Sequence, residues 1–109
     1  MSAKAIVPRV QAIADAEQAL DHYQREAGMA VADAWVDALH KAFTPIGRQP
    51  GTGSPRFAHE LNLPGLRSSP LTRFPYLVFY MEREDHVDVW RILHAQRDMA
   101  RWLGEGSAP

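Results

Sequence analysis

The chain predicts an α+β fold, a small, mainly antiparallel sheet with an N-terminal α-helical hairpin on one face and a short C-terminal helix, in the order β-α-α-β-β-β-α. Two stretches with helical apolar spacing fill residues 10–46, and three strand-like apolar runs crowd residues 66–94. A length of 109 residues leaves room for one core, so residues 1–109 are expected to form a single domain.

Ala5-Ile6-Val7 reads as a short strand ended by Pro8, which a strand edge or a helix start tolerates. From Val10, the positions Val10, Ile13, Leu20 and Tyr23 fall on one helical face with Ala14, Ala16 and Ala19 around it. Gly28 is the natural stop. Ala32, Trp35, Val36, Leu39, Ala42, Phe43 and Ile46 then follow the spacing of a second amphipathic helix, whose last turn Pro45 should break or kink. A short Gly-containing turn between two such helices makes an antiparallel hairpin.

Residues 47–65, rich in Gly and Pro, read as one long loop tethered by Phe57, Leu61 and Leu63. Strands follow at Leu66–Leu71 and Phe74–Glu82. The second is apolar on both faces, as a central strand should be. Glu82-Arg83-Glu84-Asp85 is a polar hairpin turn, and His86–His94 pairs back. A short helix over Arg97–Leu103 docks through Trp102 and Leu103, and Gly104–Pro109 is expected to fray.

The composition excludes several classes of function. Without cysteine there are no disulfides and no thiolate metal sites, and a reducing compartment is the natural setting. No signal-like or membrane-spanning apolar run is present, so a cytoplasmic protein with no membrane partner is expected. The net charge of −1 hides a gradient: residues 48–81 carry Arg48, Arg56, Arg67 and Arg73 against Glu60 alone, while both flanks are net acidic. That pattern excludes a general nucleic-acid coat but permits one focused basic patch. Only Lys4 and Lys41 are lysines, so the cationic chemistry belongs to guanidinium groups, suited to bidentate, partly buried contacts.

Arginines and a histidine interrupt the strands where a plain core would hold Val or Leu. Such a set either binds something anionic or pairs with buried carboxylates. Arg91 therefore has two readings, a contact residue or a structural arginine paired with Asp88 or another carboxylate. His94, ending a strand before a helix, is either a hydrogen-bonded hinge or a base. Asp98 is most simply a cap of the last helix, and Tyr76 and Tyr80 share a strand face that belongs to the core. Asp33, Asp37 and His40 share a helical face as metal ligands might, but Asp37 and Lys41 form an ordinary i,i+4 pair on a solvated surface, so no metal site is expected. Ser68 and Ser69 lack the Gly-x-Ser-x-Gly setting of a hydrolase nucleophile, and Arg48-Gln49-Pro50-Gly51-Thr52-Gly53 lacks the end of a phosphate-binding loop.

Several words in this order resemble the ParE/RelE toxin superfamily, the small bacterial toxins of toxin–antitoxin modules, also called plasmid-stabilisation proteins. They are Asp15-Ala16-Glu17-Gln18-Ala19-Leu20-Asp21-His22-Tyr23, Pro64-Gly65-Leu66-Arg67-Ser68, Arg73-Phe74-Pro75-Tyr76-Leu77-Val78-Phe79-Tyr80, and Arg91-Ile92-Leu93-His94-Ala95-Gln96-Arg97-Asp98. The Arg-x-x-His-x-x-Arg-Asp ending looks like the ParE side, whose members poison DNA gyrase and are neutralised by a small ParD-type antitoxin. RelE-side members instead cut mRNA on the ribosome.

The resemblance implies a ParE-type toxin that inhibits gyrase by protein–protein contact, with no cofactor, no catalytic residue and no direct sequence-specific nucleic-acid binding. It also implies a hetero-oligomer with a cognate ParD-like antitoxin. Surfaces that grip a protein favour Arg and Trp anchors, and Arg67, Arg73, Arg91, Arg97 and Trp102 supply them. The alternative it leaves open is a ribosome-dependent endoribonuclease. Cleavage would need a base, an acid and cations for the developing phosphorane charge; the candidates are Arg67, Arg73, Arg91, His94 and Tyr80, with Arg67, Arg91 and His94 as the catalytic set. A third possibility is an inactive homologue that only binds its antitoxin.

Overall fold

The computed structural model describes residues 3–107, with side chains described through Leu103. Its order is β1 (Ala5–Pro8), α1 (Val10–Ala27), α2 (Met29–Arg48), a 3₁₀ turn at Pro50–Thr52, α3 (Arg56–Leu61), β2 (Leu66–Pro70), β3 (Tyr76–Glu82), β4 (His86–His94) and α4 (Met99–Ser107). The sheet order is β1-β4-β3-β2, with β1 parallel to β4 and the other pairs antiparallel. This is the α+β arrangement the apolar pattern predicts.

Gly28 is the whole connection between α1 and α2. Its φ of 94° lies where only glycine is at ease, so the chain reverses within one residue. The two helices cover one sheet face, where Trp35, Leu39 and Ile46 pack on Val78, Tyr80, Val87, Val89 and Ile92. The second face carries its own core of Phe57, Leu66, Phe79, Trp90, Leu93, Met99 and Leu103 beneath α3 and α4. Two faces and two covers make three layers.

Four expectations need correction. The inward face of α1 is Ala12, Asp15 and Ala19, whereas Val10 is 82% exposed and Ile13 47%. The helix lies close against the sheet, so small side chains go inward. Residues 47–65 are not one loop: α2 continues to Arg48, and a 3₁₀ turn and α3 follow. Nor does Pro45 break α2. The carbonyl it deprives of a donor belongs to exposed Lys41, where water can serve. Finally, α4 starts two residues later than expected and runs to Ser107 rather than fraying from Gly104; Ala108 and Pro109 lie outside the described residues.

A β-bulge joins β3 to β4. Phe79 pairs with Arg91 and Tyr80 with Val89, which makes Trp90 the extra residue. A bulge re-aims the side chains beside it, and here the neighbour is Arg91.

Candidate functional site

β1 is only four residues long and accompanies β4 from His86 to Val89. The ladder ends where the Arg9 N–H donates to the Val89 carbonyl at 2.9 Å, and α1 begins at the next residue. The second turn of α1 thereby brings Asp15 against the edge of β4 that β1 no longer covers. One Asp15 oxygen accepts the Ile92 N–H at 3.0 Å and Arg91 Nε at 2.7 Å, and the other accepts Arg91 Nη2 at 2.7 Å. Both side chains are buried, at 7% and 8% exposure. Arg91 Nη1 also donates to the Trp102 carbonyl at 3.1 Å. A bidentate pair whose remaining donors and acceptors are also engaged is the arrangement in which a buried charge is tolerated. Arg91 is thus a structural arginine whose carboxylate is Asp15. Asp88 is engaged elsewhere, by Arg9 at 2.9 Å and Arg83 at 2.9 Å.

The segment after β4 turns into α4 through local bonds. The Gln96 N–H donates to His94 Nδ1 at 3.1 Å, and the Arg97 N–H donates to the His94 carbonyl at 3.0 Å. Asp98 is the N-cap of α4, its carboxylate accepting the Arg101 N–H at 3.3 Å. Arg97 is exposed, and its guanidinium carbon lies 4.4 Å from the Trp102 ring centre, with that of Arg91 at 5.3 Å. Both lie within cation–π range.

Between α1, the ends of β3 and β4, and the start of α4 lies a pocket of about 290 Å³. Asp15, Gln18 and His22 reach it from α1, Tyr76 and His94 from the strands, and Arg97 and Trp102 from the last segment. The His94 ring meets Tyr76 edge-on at 5.3 Å. Burial and the nearby Tyr23 push the Tyr76 phenol up, against a smaller pull from Arg97, so it remains a protonated donor at neutral pH.

The structure therefore brings together three of the five expected contact residues, Arg91, Arg97 and Trp102, with His94 beside them. Arg67 sits on β2 opposite Tyr80 and donates to the Gly53 carbonyl at 2.7 Å. Arg73 is exposed in the β2–β3 connection, in a left-handed conformation with φ of 76°, and lines no part of this pocket. Tyr80 is a core residue, as its alternation suggests, and donates its hydroxyl to the Pro50 carbonyl at 2.7 Å. Sequence reasoning missed Asp15, Gln18, His22 and Tyr76 as pocket residues. The signal for Asp15 was available: it occupies the i+3 position of a small-residue stripe, Ala12 to Ala19, where an acid has no reason to sit unless it finds a cation inside. Among the described residues no three His, Asp or Glu side chains gather as a metal ion would require, and no helix is long and apolar enough to cross a membrane.

Residues 6–99 match the family model described as the ParE toxin of the type II toxin–antitoxin system parDE, and the chain belongs to that family. In structure it is similar to a chain of the chromosomal ParDE toxin–antitoxin system from P. aeruginosa, with a TM-score of 0.72 and 21% identity over 85% of this chain and 97% of that one. At that identity the likeness speaks for the fold. No curated protein matches the chain.

Proposed function

We propose that this ParE-family toxin inhibits DNA gyrase by protein–protein contact in the cytoplasm and is neutralised by a ParD-like antitoxin. The observation that carries this reading is the dispersal of the groups a nuclease would need. Residues directly opposite each other on neighbouring strands share a face. Arg67 faces with Tyr80 toward the helical hairpin, whereas Arg91 starts opposite Phe79, on the α3–α4 side. Arg91 is committed to Asp15 and to the Trp102 carbonyl, and His94 uses Nδ1 for the backbone of Gln96. Arg67, Arg91 and His94 therefore do not converge on one point, as the groups driving in-line attack on a phosphodiester must. A protein-binding surface has no such requirement, and Arg97 stacked on Trp102 is the kind of anchor that carries interface energy.

A solved structure of similar fold belongs to a ParDE toxin–antitoxin system, which supports a ParD-like partner here. The test is plasmid supercoiling by purified gyrase with this protein titrated in, and ribosome-dependent mRNA cleavage as a parallel arm. Inhibition with trapped, cleaved DNA is expected. Cut mRNA with unaffected gyrase would overturn the reading in favour of the endoribonuclease, and silence in both would leave a homologue that only binds its antitoxin. Co-expression with the product of a neighbouring antitoxin gene is expected to raise the melting temperature, since a ligand of the native state stabilises it by mass action.

A further inference from the structure

We propose that the pocket beside Arg97 receives a carboxylate side chain of a partner protein, a proposal that rests on the protein–protein reading above and names the chemistry of the contact. The pocket holds one acid, Asp15, and that acid is fully used by Arg91 and the Ile92 N–H. Arg97 has no carboxylate partner among the described residues; its guanidinium lies over Trp102 at 4.4 Å. The pocket is left with a positive charge and no acid to answer it.

Around Arg97 several of its polar groups can donate. Because His94 Nδ1 accepts the Gln96 N–H, the proton of an uncharged His94 ring sits on Nε2. The Tyr76 hydroxyl and the Gln18 amide add further donors. A planar guanidinium with neighbouring N–H and O–H groups matches a carboxylate.

The volume of about 290 Å³ exceeds what a lone ion or a single water needs. Ala19, Ile92, Leu93 and the Trp102 ring give it an apolar wall suited to the methylene stem of Glu or Asp. Extended backbone is not the fitting ligand, because Asp15 occupies the Ile92 N–H that an added strand would use. A nucleic-acid strand is disfavoured too, since it needs a row of cations and this pocket offers one uncommitted guanidinium.

The test uses the full ¹⁵N-labelled chain at low salt and needs neither gyrase nor antitoxin, so its outcome is independent of the supercoiling result. The probes are acetyl-Ala-Glu-Ala-amide, its Gln counterpart, inorganic phosphate and a short single-stranded RNA. The Glu peptide is expected to shift the Trp102 indole N–H and Arg97 Nε–H resonances saturably. Its affinity should fall about tenfold in Arg97→Gln, the scale of one lost charge-assisted contact, with the rest of the spectrum unchanged. Equal binding of the Gln peptide, undiminished binding by Arg97→Gln, or no shift at all would overturn the proposal. So would phosphate or RNA moving those resonances at lower concentration than the Glu peptide.

Discussion

Asp15 and Arg91, 76 residues apart in the chain, meet through two 2.7 Å bonds inside the protein, and the same carboxylate takes up the Ile92 N–H. The contact ties α1, β4 and, through the Trp102 carbonyl, α4 to one another. Removing one partner strands the other as a buried charge. Arg91→Ala and Asp15→Ala should each lower stability by about 3–5 kcal/mol, a large share of what a domain of this size possesses. Urea denaturation followed by tryptophan fluorescence measures it. The double replacement Asp15→Leu with Arg91→Met should be more stable than either alanine variant, because no charge is then left unpaired. Lost toxicity in Arg91→Ala would accordingly report a lost fold. A midpoint for Arg91→Ala equal to that of the parent would overturn this account.

Arg97, exposed, and His94, half-buried, offer the opposite combination beside the pocket. Arg97→Gln is expected to weaken gyrase inhibition about tenfold while shifting stability by less than about 0.5 kcal/mol, as surface substitutions do. His94→Asn should leave inhibition within a few-fold of the parent, whereas a general base would cost about 10²–10⁴-fold on removal. The two variants are read in the supercoiling titration with thermal melts alongside.

Gly53 and Tyr80 depend on each other. A Cβ on Gly53 would collide with the Tyr80 hydroxyl and crowd Cβ of Arg67. Tyr80 has no exposed surface from which to retreat. Gly53→Ala is therefore expected to destabilise by about 1–3 kcal/mol, the ordinary cost of overpacking. Tyr80→Phe removes the donor to the Pro50 carbonyl and should cost about 1–2 kcal/mol. Both are measured by thermal or chemical denaturation, and the double variant should cost less than the two single costs added, since Phe removes the hydroxyl collision, although its ring carbon Cζ, 2.8 Å from the new methyl, must still shift.

Asp88 sets an acid limit. Burial pushes its carboxyl up, but the hydrogen bonds and charges of Arg9 and Arg83 outweigh that and hold it below the ordinary carboxylate value. A group depressed in the folded state contributes stability above its unfolded pKa, near 3.8, and loses it as pH falls through the folded value. Stability should therefore decline below about pH 4, and Asp88→Asn should flatten that part of the profile while lowering stability at neutral pH. An unchanged acid limb in Asp88→Asn would assign the decline to other carboxylates.

Much of the fold was legible because its periodicities are strong. α2 shows its buried face through Trp35, Leu39, Ala42 and Ile46, β3 shows its core position through an unbroken apolar run, and β4 through Val87, Val89, Trp90, Ile92 and Leu93 around Asp88 and Arg91. α1 misleads because bulk and burial part company there: the close approach to the sheet selects Ala12 and Ala19 and leaves Val10 and Ile13 outside. α3 is hidden by the Gly and Pro around it, since Pro55 opens it and Asn62, left-handed at φ 53°, closes it within six residues. At the site, Arg91, His94, Arg97 and Trp102 stand close in sequence, so their grouping could be anticipated. Of their α1 partners only Asp15 left a trace, as an acid within the Ala12–Ala19 stripe; the short length of β1 decides which helix residues reach the sheet, and a pairing across 76 residues leaves nothing beside Arg91 to announce it.

The brevity of β1 has a further consequence, for self-association. An uncovered strand edge invites another chain to zip onto it and begin an aggregate. In this protein the exposed stretch of β4 is plugged by a carboxylate. The outer side of β2 is occupied at Ser68 by Ser54, through bonds of 2.8 and 3.0 Å. β1 ends in a proline with no N–H to offer, and the Lys4 N–H just before it is taken by the Gly47 carbonyl. The sheet thus carries its own guards against edge-to-edge pairing, built from a carboxylate, a serine bridge and a proline.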